Sequence, residues 1–118
     1  MSFQRKKLGN NGEELAAEFL KSIGYEIINR NVKFKYGEID IIADDGDYII
    51  IVEVKTKTRF DQGRPEEMVD YFKKKKLRLL ARGVSQQYPD KNIRIDVVAV
   101  DLTELEPKIN HIINAVEG

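Results

Sequence analysis

The 118-residue sequence predicts an α/β domain with a central mixed β-sheet flanked by α-helices, and three observations lead there. Apolar residues recur at helical spacing over residues 11–23 and again after Pro65, while the segments between and beyond are strand-like. Ile49-Ile50-Ile51-Val52 is a consecutive β-branched run, which suits a strand covered on both faces and so central in its sheet. The resulting order, helix, three strands, helix, strands, belongs to a mixed sheet. A chain of this length fits one core, so a single domain over residues 1–118 is expected.

In order, Asn10 or Asn11 is placed to cap a first helix whose stripe is Leu15, Ala16, Phe19, Leu20 and Ile23, with Gly24 as its stop. Glu14 falls opposite that stripe, on the surface. Glu13 lies at its flank, either reaching the edge of the packing surface or simply favoured near a helix N-terminus. Tyr25 to Lys35 reads as a strand interrupted at Asn29 to Asn31, followed by strands over Ile39 to Asp44 and Asp47 to Thr56, with Asp45-Gly46 as a hairpin signal. Lys57 to Arg64 is a basic loop. Pro65 suits the first turn of a helix reaching about Tyr88, with Val69, Phe72, Leu77, Leu80 and Val84 as its stripe. Lys73 and Lys76 fall on that striped face, where a lysine snorkels to the core rim or points into a cleft. Ile93 to Val100 is a strand, and Ile109 to Ala115 an edge strand.

Cysteine is absent, which excludes disulfides and thiolate metal sites. The opening, Met1 to Asn11, is polar and basic, and no apolar run approaches the ~20 residues of a spanning helix, so a cytoplasmic protein with no membrane partner is expected. The formal net charge of zero conceals segregation: residues 38–54 hold six acids and no base, whereas residues 55–82 hold ten bases and four acids. Acids beside bases suit a metal site facing a polyanion. The same counts also suit charges on solvated faces.

The segregation is sharpest in GEIDIIADDGDYIIIVEVKTK, Gly37 to Lys57. A turn at Asp45-Gly46, or a four-residue loop from Asp44 to Asp47, sets Glu38 opposite Glu53 and Asp40 opposite Ile51. Glu38, Asp40, Glu53 and Lys55 then share one face, with Asp40 and Glu53 as diagonal neighbours. Converging, partly desolvated carboxylates need positive charge nearby. Lys55 supplies one; Mg²⁺ or Mn²⁺ on Asp40 and Glu53 would supply the rest, because hard cations take one or two carboxylates plus waters and phosphate. A structural Glu-Lys network at a strand end would use the same residues. Asp96 is expected to pair with a base such as Arg94, and His111, the sole histidine, to be structural or superficial.

With Gly12-Glu13 and Ala16, Gly24-Tyr25, Asn31, Gly37-Glu38-Ile39-Asp40, Val52-Glu53-Val54-Lys55-Thr56, Gly63, Lys73 and Arg94-Ile95-Asp96-Val97-Val98, the sequence resembles the YraN-like family of uncharacterised bacterial proteins. That family lies in the PD-(D/E)xK nuclease-like superfamily. The resemblance implies a restriction endonuclease-like fold. It implies metal-binding acids at Asp40 and Glu53, a catalytic lysine at Lys55, and, from the Holliday-junction-resolvase branch, a helix-borne catalytic acid at Glu13. Glu38 is an additional acid of less defined role. Lys57 stands where this family often has arginine, keeping charge without the bidentate grip. Lys57, Arg59, Lys73 and Lys76 are the expected nucleic-acid contacts. The implied activity is metal-dependent phosphodiester hydrolysis of DNA ahead of RNA, with branched or structured DNA as a candidate substrate and a homodimer compatible with the resolvase branch. The alternative is a nucleic-acid-binding or assembly module that keeps the fold without turnover.

Overall fold

A computed structural model describes residues 3–59 and 71–116, with side chains over 11–59 and 73–116. The chain forms α1 (Phe3–Ser22), β1 (Glu26–Phe34), β2 (Gly37–Asp44), β3 (Tyr48–Lys57), α2 (Tyr71–Gln87), β4 (Asn92–Asp101) and β5 (Lys108–Ile112). Five strands make one sheet in the order β1-β2-β3-β4-β5. The β3-β4 pair is parallel and the other three are antiparallel, so the sheet is mixed, as expected.

The consecutive run Ile49 to Val52 sits where its composition demands, in the central strand with both faces covered. On one face Ala16, Ala17 and Leu20 of α1 pack against Ile41, Ala43, Ile50, Val52, Val98 and Val100. On the other, Leu77, Leu80 and Val84 of α2 pack against Ile39, Ile42, Ile49, Ile51 and Ile95. Burying each such aliphatic side chain contributes about 1.5–3 kcal/mol, so β3 anchors both layers. The result is the α/β arrangement expected from the sequence, a mixed sheet between helices.

Several expectations need correction. The first helix begins at Phe3 rather than after a cap at Asn10 or Asn11, because extending an existing helix costs far less than nucleating another. Ile23 is 46% exposed: it lies beyond the last turn, and Ala17 fills the core instead. Gly24, at φ 96°, does end the helix; its N–H donates to the Lys21 carbonyl and that of Tyr25 to the Leu20 carbonyl, a Schellman pair. The last strand stops at Ile112 because Asn114 turns the chain at φ 54°. Pro65, Val69 and the start of the second helix lie outside the described residues, as does Gly63.

The hairpin register also differs. Ile41 pairs with Val52 and Asp44 with Ile49, two residues from expectation, and continuing that register would set Asp40 opposite Glu53 instead of Ile51. The turn centres on Gly46-Asp47, because Asp45 Oδ1 accepts the N–H groups of Asp47 (2.9 Å) and Tyr48 (2.7 Å) and Gly46 takes φ 102°. The shift is even, so the paired residues Ile41 to Asp44 keep the faces expected of them, and Asp40 lies just past the end of the paired ladder. Among the described residues no helix is long and apolar enough to cross a membrane.

Candidate functional site

The backbone pairing of β2 with β3 runs only from Asp44 and Ile49 to Ile41 and Val52. One step further, a side chain replaces the backbone acceptor: Asp40 Oδ2 receives the Val54 N–H at 2.9 Å. The strand also turns over here. Ile41 packs in the α1 layer and Ile39, two residues away, in the α2 layer. Opposite Asp40, between the pairs Arg30–Ile41 and Val32–Ile39, Asn31 adopts φ 53°, a left-handed conformation that asparagine tolerates better than most residues. The interruption seen in the sequence at Asn29 to Asn31 is therefore real, and it faces the site.

Glu53 points into the α2 layer from β3, its side chain 5% exposed. Its Oε1 lies 3.0 Å from Lys73 Nζ on α2 and 3.4 Å from Lys55 Nζ, two residues along β3. Two ammonium groups thus share one buried carboxylate oxygen. Burial pushes the Asp40 carboxyl up to about 7, and the charges of Glu53 and then Glu13 add to it, while the Val54 N–H and Lys73 pull the other way. Glu13 is raised as well, first by burial and then by Glu38 and Glu53, with Arg30 opposing.

Glu13 reaches this cluster because α1 approaches β3 closely one residue earlier. A Cβ on Gly12 would overlap the Thr56 hydroxyl, so only glycine lets the helix lie this near. Glu14 faces outward, as expected, and binds Arg30 Nη1 at 2.8 Å. Asn31 connects the outlying acids: the two carboxylates orient its amide, and with the nitrogen turned toward them it donates to Glu13 Oε1 at 3.0 Å and to Glu38 Oε1 at 3.1 Å.

Asp40, Glu53, Lys55 and Glu13 therefore converge, with Glu38 joined through Asn31. Lys73 belongs to the cluster itself. Lys76 lies over Gly37, whose φ of 147° and close neighbour leave no room for a side chain. Lys57 ends β3 in register with Asp101, whose carboxyl is lowered mainly by Thr103 with a contribution from Lys57. Arg59 is exposed in the turn after β3. Sequence reasoning assigns no role to Gly12 or Asn31; the signals were a glycine inside a helix, which invites a close-approach reading, and an asparagine able to break a strand.

Among the described residues, no three carboxylate or histidine groups stand as a ready-made ligand cage. The donor set still suits a hard divalent cation. Asp40 and Glu53 offer oxygen donors on adjacent strands, and a carboxyl pushed up to about 7 by burial first and other acids second marks a place short of positive charge. The two lysines on Glu53 supply part of that charge as the site stands.

A second polar cluster centres on β4, where Asp96 pairs with Val52. Asp96, fully buried in β4, accepts from Arg94 Nε (2.9 Å), the Asn114 N–H (3.0 Å) and His111 Nε2 (2.7 Å). Arg94 also binds Asp45 and the Tyr25 hydroxyl. Burial alone would raise Asp96, but His111, Arg94 and the Asn114 N–H together hold it below the usual carboxylate range. Asp96 pairs with Arg94 as expected, and His111 is structural, wedged edge-on against Phe19 and Tyr25.

Comparison with known proteins gives a consistent family picture. A protein of Dehalococcoides mccartyi is 44% identical over 117 residues, covering 98% of this chain and 97% of its own. One of Thermodesulfovibrio yellowstonii is 42% identical over 115 residues, covering 94% and 96%. One of Geobacter metallireducens is 40% identical over 119 residues, covering 99% and 98%. All three are described as UPF0102 proteins. Among solved structures, an EndoMS–dsDNA complex is similar over 71% of this chain and 34% of its own, at 16% identity and a TM-score of 0.46. The family model matching residues 12–100 is that of uncharacterised protein family UPF0102, and the chain belongs to that family.

Proposed function

We propose that this protein is a Mg²⁺- or Mn²⁺-dependent phosphodiesterase acting on nucleic acid, DNA ahead of RNA, with branched or structured DNA as the first substrate to test. The observation that carries the reading is the end of the β2-β3 ladder. There Asp40, which accepts the Val54 N–H, lies beside Glu53, Lys55 follows two residues on, and Asp40 is pushed up to about 7 first by burial and then by the charges of Glu53 and Glu13. A protein free of catalytic demand has no physical need to hold Asp40, Glu53 and Lys55 together.

Asp40 and Glu53 would hold the cation, which when bound supplies Lewis-acid polarisation of a phosphoryl oxygen and a more acidic water. Lys55, fixed by its ion pair with Glu53, stands where it can orient the attacking water or stabilise negative charge developing on phosphorus. Lys73 and Lys76 on α2, with Lys57 and Arg59 beyond β3, give the phosphate backbone cationic contacts, and such contacts make binding weaken with salt. α1 brings Glu13 to the same strand end from the opposite layer.

One observation favours a second reading. Lys55 and Lys73 already neutralise Glu53, and no complete ligand cage is preformed among the described residues. A nucleic-acid-binding module with a structural Glu-Lys network would look the same in these respects. The two readings separate in a cleavage assay on junction, flap, single-stranded and RNA substrates with Mg²⁺ or Mn²⁺, beside Lys55→Ala and Glu53→Gln. Metal-dependent cleavage lost in both variants supports hydrolysis. Tight binding with no cleavage of any substrate supports the module, and cleavage that survives both substitutions comes from a contaminant.

A further inference from the structure

Asn31 stands between two acids that reach it from different elements. Glu13 comes from α1 and Glu38 from β2, and both accept from the one Asn31 amide nitrogen, at 3.0 and 3.1 Å. The residue sits opposite Asp40 in the sheet and departs from extended backbone, at φ 53°. An ionised carboxylate only accepts hydrogen bonds, so two of them drawn together need a shared donor, and a primary amide offers two hydrogens on one nitrogen. Among the described residues, no other hydrogen bond reaches the Glu13 carboxylate. α1 comes near through Gly12, but that contact fixes the helix, not the direction of the glutamate side chain.

We propose that Asn31 is a positioning residue: its amide clamps Glu13 to Glu38 and so presents Glu13 as a third carboxylate at the cation-binding face of Asp40 and Glu53. This rests on the reading of that face as a divalent-cation site. Outer residues that orient ligands typically change metal affinity 10–100-fold when replaced, although they never touch the metal. The left-handed backbone explains the choice of residue: aspartate would accept the conformation but bring a third negative group, and glycine would accept it but bring no donor.

The test is calorimetric titration of Mn²⁺ into the full chain without nucleic acid, for the wild type, Asn31→Gly, Asn31→Asp, Glu13→Gln and the double variant Asn31→Gly/Glu13→Gln. Thermal melting of each establishes that it folds. Asn31→Gly is expected to bind Mn²⁺ about 10-fold more weakly than wild type. Glu13→Gln should lose a similar factor, and the double variant should be no weaker than the weaker single, because both remove one interaction. Asn31→Asp should lose at least as much as Asn31→Gly, and it carries the comparison if the glycine variant does not fold. Wild-type affinity in a folded Asn31 variant, or losses that multiply in the double variant, would overturn the inference. Wild type that binds no Mn²⁺ defeats the cation site and this inference with it. Binding that depends on Asp40 and Glu53 but ignores Asn31 defeats the inference alone.

Discussion

Replacing Asp40 by asparagine should make the protein more stable at neutral and alkaline pH, an effect opposite to that of most substitutions at half-buried polar positions. Asparagine keeps the size of the side chain, and its Oδ1 can still accept the Val54 N–H that Asp40 now receives. What it removes is a charge that burial, Glu53 and Glu13 all disfavour. A carboxyl shifted from 3.8 to about 7 carries a difference of about 4 kcal/mol between its protonation states, at 1.36 kcal/mol per pH unit. Relaxation of the lysines and entry of water will recover part of this, so the expected gain for Asp40→Asn at pH 8 is about 2–4 kcal/mol. Between 3.8 and about 7 the folded wild type retains a proton that the unfolded chain has released, so the proton-linked stability, complete below 3.8, is lost as pH rises through about 7. The variant has no such loss. Urea midpoints for both proteins at pH 4, 6 and 8 measure this directly, since other titrating groups largely cancel in the difference. A difference near zero at pH 4 that grows towards pH 8 is the expected pattern. If Asp40→Asn is less stable than wild type at pH 8, or if the difference does not vary with pH, the account of Asp40 as an electrostatically opposed acid is refuted.

Three further outcomes are expected. Gly12→Ala should cost about 1–3 kcal/mol, because its Cβ overlaps the Thr56 hydroxyl, and Thr56→Ala in the same chain should restore part of that; strictly additive denaturation midpoints would refute the close approach. Asp96→Asn should cost about 3–5 kcal/mol by leaving Arg94 and His111 without their shared acceptor, and because the Asp96 carboxyl is lowered, the wild type should lose this advantage as pH falls below about 4, an acid titration followed by circular dichroism being the check. On the proposed metal site, 10 mM Mg²⁺ at a dissociation constant of about 1 mM should stabilise the wild type by about 1.4 kcal/mol and the Asp40→Asn/Glu53→Gln double variant by nothing, read from melting temperatures; equal stabilisation of both would remove the cation from those residues.

The parts of the fold legible in the sequence were those fixed by periodicity. The run Ile49 to Val52 identified the central strand because no amphipathic element places four β-branched residues in a row. Lys73 was legible as a lysine inside an apolar stripe, and the structure sets it on Glu53. The hairpin was legible in parity but not in register. The side-chain period of two fixes which residues share a face, whereas the step that sets Asp40 opposite Glu53 depends on how Asp45 folds over the turn. Gly12 and Asn31 were not legible because their roles exist only between elements: one is a distance to Thr56, the other a bridge from α1 to β2. His111 likewise meets Asp96 only through the pairing of β5 with β4. Periodicity says which face a residue takes, never what stands across from it.

Two aspartates in this one sheet, Asp96 buried and Asp40 half-buried, are driven in opposite directions, and the contrast fits the proposed roles of a structural acid and a cation ligand. Asp96 is fully buried, yet a guanidinium, an imidazole and a backbone N–H surround it, so its carboxyl is lowered and its charge stabilises the fold. Asp40 has one backbone N–H and faces two further acids, so its carboxyl is raised and its charge opposes the fold. Nothing in the backbone forces this difference, since arginines are available on α2 and elsewhere in the chain, and a base placed beside Asp40 would relieve the strain. The same strand end gathers the left-handed Asn31 and the clash-limited Gly12, each unfavourable or restrictive by itself. Unfavourable choices concentrated at one place, in a fold whose other buried charges are well matched, are what a binding site for an external positive charge requires: the missing stabilisation is left for the ligand to supply.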